Sequence, residues 1–170
     1  MSIIVASPKE KLLMADDFVF NGTGQSAHIH KLGKVFEQKI IISPDNYFAY
    51  VFDCQQNDAA AQLALNYIYR WESGETKERE NPFKEGMKDF SMTVMTKRGF
   101  YNANPDNLVA VSEWSNMWSN VLKNESLFEL ADLTAREVFD IFLLHGDYRA
   151  RSVPTVVKQS SLKLIPRKKK

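Results

Sequence analysis

A single cysteine, Cys54, in 170 residues leaves no internal disulfide, so the fold does not depend on an oxidising compartment. Long apolar runs are missing too. Nothing approaches the roughly 18 residues of a membrane span, and the apolar start at Met1–Ala6 is cut short by Pro8, Lys9, Glu10 and Lys11, unlike a signal peptide. The expectation is a cytoplasmic protein with no membrane partner. No internal repeat and no cofactor fingerprint stand out, so no cofactor is expected. Only three histidines are present, which limits histidine-based metal or acid–base chemistry.

Acidic residues are scarce in one place. From Gly146 to Lys170 the chain has eight Lys/Arg and one acid, Asp147, leaving 14 of 22 basic and 20 of 21 acidic residues in the first 145. A formal net charge of +1 therefore hides an acidic body and a basic tail. Such a segment attracts polyanions. The tail also carries Val156, Val157, Leu162, Leu164 and Ile165, which a purely solvated tail has no need of.

Hydrophobic content of 44% and charged content of 25% are those of an ordinary globular chain. The expected organisation is one α+β domain over residues 1–150 and an extended basic arm over 151–170. Ser2–Ala6 reads as a strand. Ser7-Pro8-Lys9-Glu10 has the form of a capping box and predicts a short helix through about Ala15. Val35–Ser43 and Tyr47–Gln55 are β-rich runs joined by Pro44-Asp45-Asn46. They predict a hairpin over 35–55 with Asn46 left-handed. That register puts Phe36, Ile40, Ile42, Phe48, Tyr50 and Phe52 on the core face, and Glu37, Lys39, Ile41, Ala49, Val51 and Asp53 on the other.

Asn57 or Asp58 caps a helix through Trp71, apolar around most of its girth and therefore buried on several sides. A charged connection follows over Glu72–Lys88, then a strand over Asp89–Lys97, a loop over Arg98–Asn107 and a short strand at Leu108–Val111. Two or three C-terminal helices are expected. Trp114, Met117, Trp118, Val121 and Leu122 form one stripe at helical spacing, and Ser126/Glu129 and Thr134/Glu137 form capping boxes, the second with a Leu133–Val138 staple.

Several groups have the form of sites. His28 and His30 share a face if they lie on a strand, and Gly22 with His28-x-His30 resembles the opening of the cupin metal motif. The acid that motif needs comes too late, at Glu37, and two surface histidines explain the pair as well. Glu37, Lys39 and Asp53 form a second candidate, suited to holding a divalent metal for phosphodiester hydrolysis. Glu37-Gln38-Lys39 resembles the E-x-K of PD-(D/E)xK nucleases, with the preceding Asp left to Asp16 or Asp17. A solvated face with Lys39 balancing two acids is the plainer reading. Leu144-His145-Gly146-Asp147 is similar to the catalytic tetrapeptide of antibiotic phosphotransferases but lacks the later Asn and Asp. His145 fits better as a helix C-terminal cation.

Lys97, Arg98, Phe100 and Tyr101 combine cations with rings able to stack on unpaired bases, and their start resembles the RNP1 motif of RNA-recognition domains. One ring tucked into the core is the alternative. Trp114 and Trp118 suit a core more readily than an interface anchor. On the tail, Arg149, Arg151, Lys158, Lys163, Arg167, Lys168, Lys169 and Lys170 are candidates for phosphate contact.

Together these features point to a non-enzymatic binding or assembly protein. Its arm engages nucleic acid or an acidic protein surface, in the manner of a homo-oligomer, a nucleoprotein or a viral-type assembly. The alternatives are a metal-dependent nuclease and a protein-binding inhibitor or adaptor acting through the acidic body. Self-docking of the arm on that body rivals polyanion binding.

Overall fold

The computed structural model describes residues 3–16, 39–53, 56–78, 80–83, 90–110, 118–119, 133–145 and 154–168. The fold is α+β, with two antiparallel sheets and two α-helices among the described residues. The first sheet has the order β8-β1-β2-β9, from β1 (Ile4–Ser7), β2 (Leu12–Ala15), β8 (Trp118–Ser119) and β9 (Thr155–Lys158). The second runs β3-β4-β5-β6-β7, from β3 (Ile41–Ile42), β4 (Ala49–Phe52), β5 (Met92–Met95), β6 (Phe100–Asn104) and β7 (Asn107–Ala110).

Alternation along the strands sorts the side chains into four layers. Ile4, Ala6, Leu13, Ala15 and Val157 of the first sheet meet Ala49, Val51, Met95 and Phe100 of the second. Behind the first sheet, Ile3, Val5 and Met14 pack on Ala135, Val138 and Phe139 of α2 (Ala135–His145). Behind the second, Phe48, Phe52, Met92, Val94 and Ala103 pack on Ala60, Ala61, Ala64 and Ile68 of α1 (Asp58–Glu72). Each face of each sheet thus carries a packed cluster.

α1 begins where Asn57 accepts the Ala60 N–H at 3.1 Å. Its small Ala60, Ala61 and Ala64 bring it close to the sheet, while Asp58, Gln62 and Asn66 stay exposed. It is buried on one broad side rather than on several. α2 starts with the expected capping box: the Glu137 N–H donates to Thr134 Oγ1, and the Thr134 N–H to Glu137 Oε1, both at 3.1 Å. Leu133 packs with the cluster that holds Val138, as the staple requires.

Several expectations change. The helix at 8–15 is a tight connection followed by β2. Glu10 N–H does donate to Ser7 Oγ at 3.1 Å, but Lys11 is left-handed (φ 58) and reverses the chain, so Leu12 pairs with Ser7. The 35–55 hairpin turns with Asn46 left-handed (φ 62), yet pairs one residue out of the expected register, as Ile41↔Tyr50 and Ile42↔Ala49. The cause is a four-residue loop held by side chains: Ser43 Oγ accepts the Phe48 N–H at 3.0 Å, and Asp45 Oδ1 accepts the Tyr47 N–H at 3.1 Å. A one-residue slip exchanges faces. Ile40 therefore points between the sheets with Ala49 and Val51, and Ile41 packs with Phe48, Tyr50 and Phe52.

Half of the loop expected over 98–107 is β6, paired from Phe100 to Ala103 with β5. Trp118 and Ser119, placed on a helix by the stripe, form β8 against β1. Among the described residues one helix, α2, occupies the C-terminal third, fewer than the two or three expected; Trp114 and the Ser126/Glu129 box lie outside them. No helix of the described residues is long and apolar enough to cross a membrane.

Candidate functional site

The arm is part of the fold. β9 adds to β2 through Leu12↔Lys158, Leu13↔Val157, Met14↔Val156 and Ala15↔Thr155. A short 3-10 turn at Gln159–Ser161 then carries the chain across the end of the sandwich. Gln159 is buried, its N–H donating to Lys11 O at 2.8 Å and its amide to Thr96 O at 2.8 Å. Leu162 enters the core between the sheets and Ile165 the core under α1. The Lys163 N–H donates to Asn46 O and the Lys168 N–H to Ser73 O, each at 2.8 Å. These contacts pin the arm to four separate parts of the body.

Two of the expected nucleic-acid-binding groups hold this docking. Lys97 Nζ donates to Ser160 O at 3.1 Å. Arg98 Nη1 donates to Ile165 O and, at 3.3 Å, to Glu72 O. Phe100 is 2% exposed within the sandwich core, which leaves no ring face for a base. Tyr101 is half-buried, its hydroxyl directed inward to Glu72. Lys158, Lys163, Arg167 and Lys168 stay exposed, Lys168 with its ammonium 3.4 Å from Glu75. Val156 and Leu164 are exposed beside them at 43% and 53%. Arg149, Arg151, Lys169 and Lys170 lie outside the described residues.

Glu72 is the residue that sequence reasoning passed over. It ends α1, yet its side chain is buried, where Oε2 accepts from Thr96 Oγ1 at 2.6 Å and from Tyr101 Oη at 2.8 Å. Oε1 is buried with no hydrogen-bond partner among the described residues. Burial pushes this carboxyl above the ordinary Glu range, against the hydrogen bonds from Thr96 and Tyr101 and the charges of Arg98 and Arg167. A hollow of about 380 Å³ opens beside it, lined among others by Trp71, Lys77, Arg98, Tyr101 and Arg167.

A second buried charge lies where β2 ends. Asp16 is 1% exposed and Lys39 13%, with Lys39 Nζ 2.9 Å from Asp16 Oδ1. The Ile3 N–H donates to the same oxygen at 3.0 Å, while Oδ2 has no partner among the described residues. Burial raises the Asp16 carboxyl above its usual range, and the Lys39 charge and these hydrogen bonds oppose the shift. Lys39 is therefore tied to Asp16. Asp53 sits half-buried after β4, its N–H on Ser91 O at 2.7 Å, and Glu37, His28 and His30 lie outside the described residues. Among the described residues no three His, Cys, Asp or Glu side chains gather as a metal site.

No protein-family model matches the chain, and no curated protein matches it. Among solved structures it is similar to Thiobacillus denitrificans BPH in complex with epoxomicin, at 10% identity over 94% of this chain and 99% of that one, with a TM-score of 0.46. Thiobacillus denitrificans BPH alone gives 10% identity, 93% and 97% coverage and a TM-score of 0.40. Likeness at this level carries neither a shared fold nor a shared activity.

Proposed function

We propose that this chain is a non-enzymatic binding and assembly protein, and that its docked arm is the surface presented to an acidic protein partner. The observation that carries this reading is the composition of the arm's outer side. Val156 and Leu164 are exposed along a segment whose exposed cations, among the described residues, are Lys158, Lys163, Arg167 and Lys168. Apolar residues flanked by charge suit a protein interface, with its apolar centre and polar rim. Nucleic-acid interfaces are more polar and gain from stacking rings, and here Phe100 is buried and Tyr101 turned inward.

The arm cannot be tested by removing it, because Val157, Leu162 and Ile165 belong to the core. Surface variants serve instead. Polyglutamate and single-stranded DNA are titrated against the full chain and the triple variant Lys158→Glu/Lys163→Glu/Leu164→Ser. The reading expects polyglutamate to bind the native chain and not the variant, with equal urea stability. Binding of DNA alone, with affinity falling steeply and linearly against log salt, would transfer the function to nucleic acid.

One observation favours a second reading, a metal-dependent phosphodiesterase. Lys39 of the E-x-K motif is joined to Asp16, a carboxylate that precedes the motif in sequence, as that chemistry requires. This reading expects Mg²⁺- or Mn²⁺-dependent cleavage of DNA or RNA that Asp16→Asn abolishes. A chain inert with both metals would end it.

A further inference from the structure

We propose that the hollow between the end of α1, the β5–β6 turn and the arm binds a small phosphate monoester with a flat organic body. Its cations arrive from three separate segments: Lys77 from the stretch after α1, Arg98 from the turn between β5 and β6, and Arg167 from the arm. Arg98 commits only Nη1 to carbonyls, so the rest of its guanidinium keeps donors to offer. Lys77 and Arg167 make no hydrogen bond or ion pair with any described residue.

Three cations at the C-terminal end of a helix have a plain explanation, that they neutralise its carbonyls. Those carbonyls are already occupied. Tyr69 O, Trp71 O and Arg70 O accept the N–H groups of Ser73, Gly74 and the pair Glu75 and Thr76, and Glu72 O accepts from Arg98. Lys77 and Arg167 are not needed there. Charge also favours an anion. Three cations face one carboxylate and a helix terminus worth about −0.5 of a charge, so the hollow stays positive by about 1.5 charges even with Glu72 ionised. Glu72 also lines the hollow, with its Oε2 occupied by Thr96 and Tyr101.

The kind of anion follows from the donors. A phosphate monoester presents three terminal oxygens to groups arriving from three directions, whereas a carboxylate offers two in one plane. Trp71 and Tyr101 are among the lining residues, and aromatic residues there suit a planar body on the ester. At about 380 Å³ the hollow lies within the roughly 300–1,000 Å³ of small-molecule sites. Because Arg167 belongs to the arm, a bound phosphate would also tether the arm to the body. The site shares Arg167 with the protein-partner reading, but the other residues of that reading, Val156, Lys158, Lys163 and Leu164, do not line the hollow, so their variants separate the two.

Calorimetric titration of the full chain with phenyl phosphate, at fixed ionic strength, tests the site. The expected result is saturable one-to-one binding with Kd below about 1 mM. Arg167→Gln and Lys77→Gln should each weaken it at least about five-fold. Lys158→Gln/Lys163→Gln should leave it unchanged, and benzoate should bind more weakly. Arg167 and Lys77 are exposed, so both variants are expected to fold, and urea unfolding checks that they do. No saturable binding up to about 10 mM would overturn the proposal. Affinity unchanged in both hollow variants, or benzoate binding equally well, would do the same.

Discussion

Replacing Lys39 with Met keeps the aliphatic stem and removes the charge that faces Asp16. The native pair is nearly dry, with Asp16 1% and Lys39 13% exposed and 2.9 Å between the charges. At an effective dielectric near 20, attraction at that distance is on the order of 6 kcal/mol, largely offset by desolvation. Without Lys39, Asp16 either stays charged against burial or takes up a proton. Protonation caps the loss, because holding neutral a carboxyl of ordinary pKa about 3.9 costs about 4 kcal/mol at pH 7 and about 1 kcal/mol near pH 4.5. Asp16 is already raised in the native protein, so part of that cost is present from the start. The expected loss is about 2–4 kcal/mol at pH 7 and under about 1 kcal/mol near pH 4.5. The sign follows from the raised carboxyl: the folded state holds the proton more tightly, so stability falls as pH climbs from the ordinary carboxylate range through the raised one. Urea unfolding at both pH values, with unchanged m-values, is the assay. A loss of the same size at both pH values would refute the reasoning, as would a loss below about 0.5 kcal/mol at pH 7.

Three further outcomes follow from buried groups. Glu72→Gln removes a carboxyl whose folded pKa is raised by burial, so the variant should be at least as stable as the native chain at neutral pH. It should also lose less stability as pH rises above the ordinary Glu range, as urea titrations across pH would show. Ile165→Ala, at a position 0% exposed within the core under α1, should cost about 3 kcal/mol by urea unfolding. A cost below about 1 kcal/mol would mean the arm is not docked. Thr93→Val replaces a hydroxyl buried between the sheets with no partner among the described residues, and should stabilise by about 1 kcal/mol in thermal or urea unfolding.

Elements with their own local signals were legible in the sequence. Asn57 marked the start of α1, the Thr134/Glu137 box marked α2, and Asn46 marked the turn between β3 and β4. Where a signal has two outcomes, the tertiary contact decides. Ser7-Pro8-Lys9-Glu10 makes its box, but Leu12–Ala15 gains more by pairing with both β1 and β9 than by continuing a helix. Four apolar residues are too few to tell a strand from a helical turn. Asn102 and Asn104 read as loop residues, and pairing with β5 and β7 overrides that preference. The hairpin register slipped because the Ser43 and Asp45 side chains support a longer loop than Pro44-Asp45-Asn46 alone implies.

The buried charges were out of reach for a different reason. Asp16 meets Lys39 across 23 residues, and Glu72 meets Thr96 and Tyr101 across 24 and 29, with no spacing rule to join them. Glu72 even reads naturally as the start of a charged loop. The arm was half legible. Its apolar residues announced docking, but only the structure separates Leu162 and Ile165, which are buried, from Val156 and Leu164, which are exposed.

The central claim is that the basic segment is a docked part of the fold and presents its cations from a fixed position. Amide hydrogen exchange on the full chain measures this directly, residue by residue. The N–H groups of Gln159, Lys163 and Lys168, bonded to Lys11, Asn46 and Ser73, should exchange far more slowly than free peptide, and Gln159 should approach the protection of β2. Exchange of all three at free-peptide rates, with β1, β2 and α1 still protected, would contradict the claim.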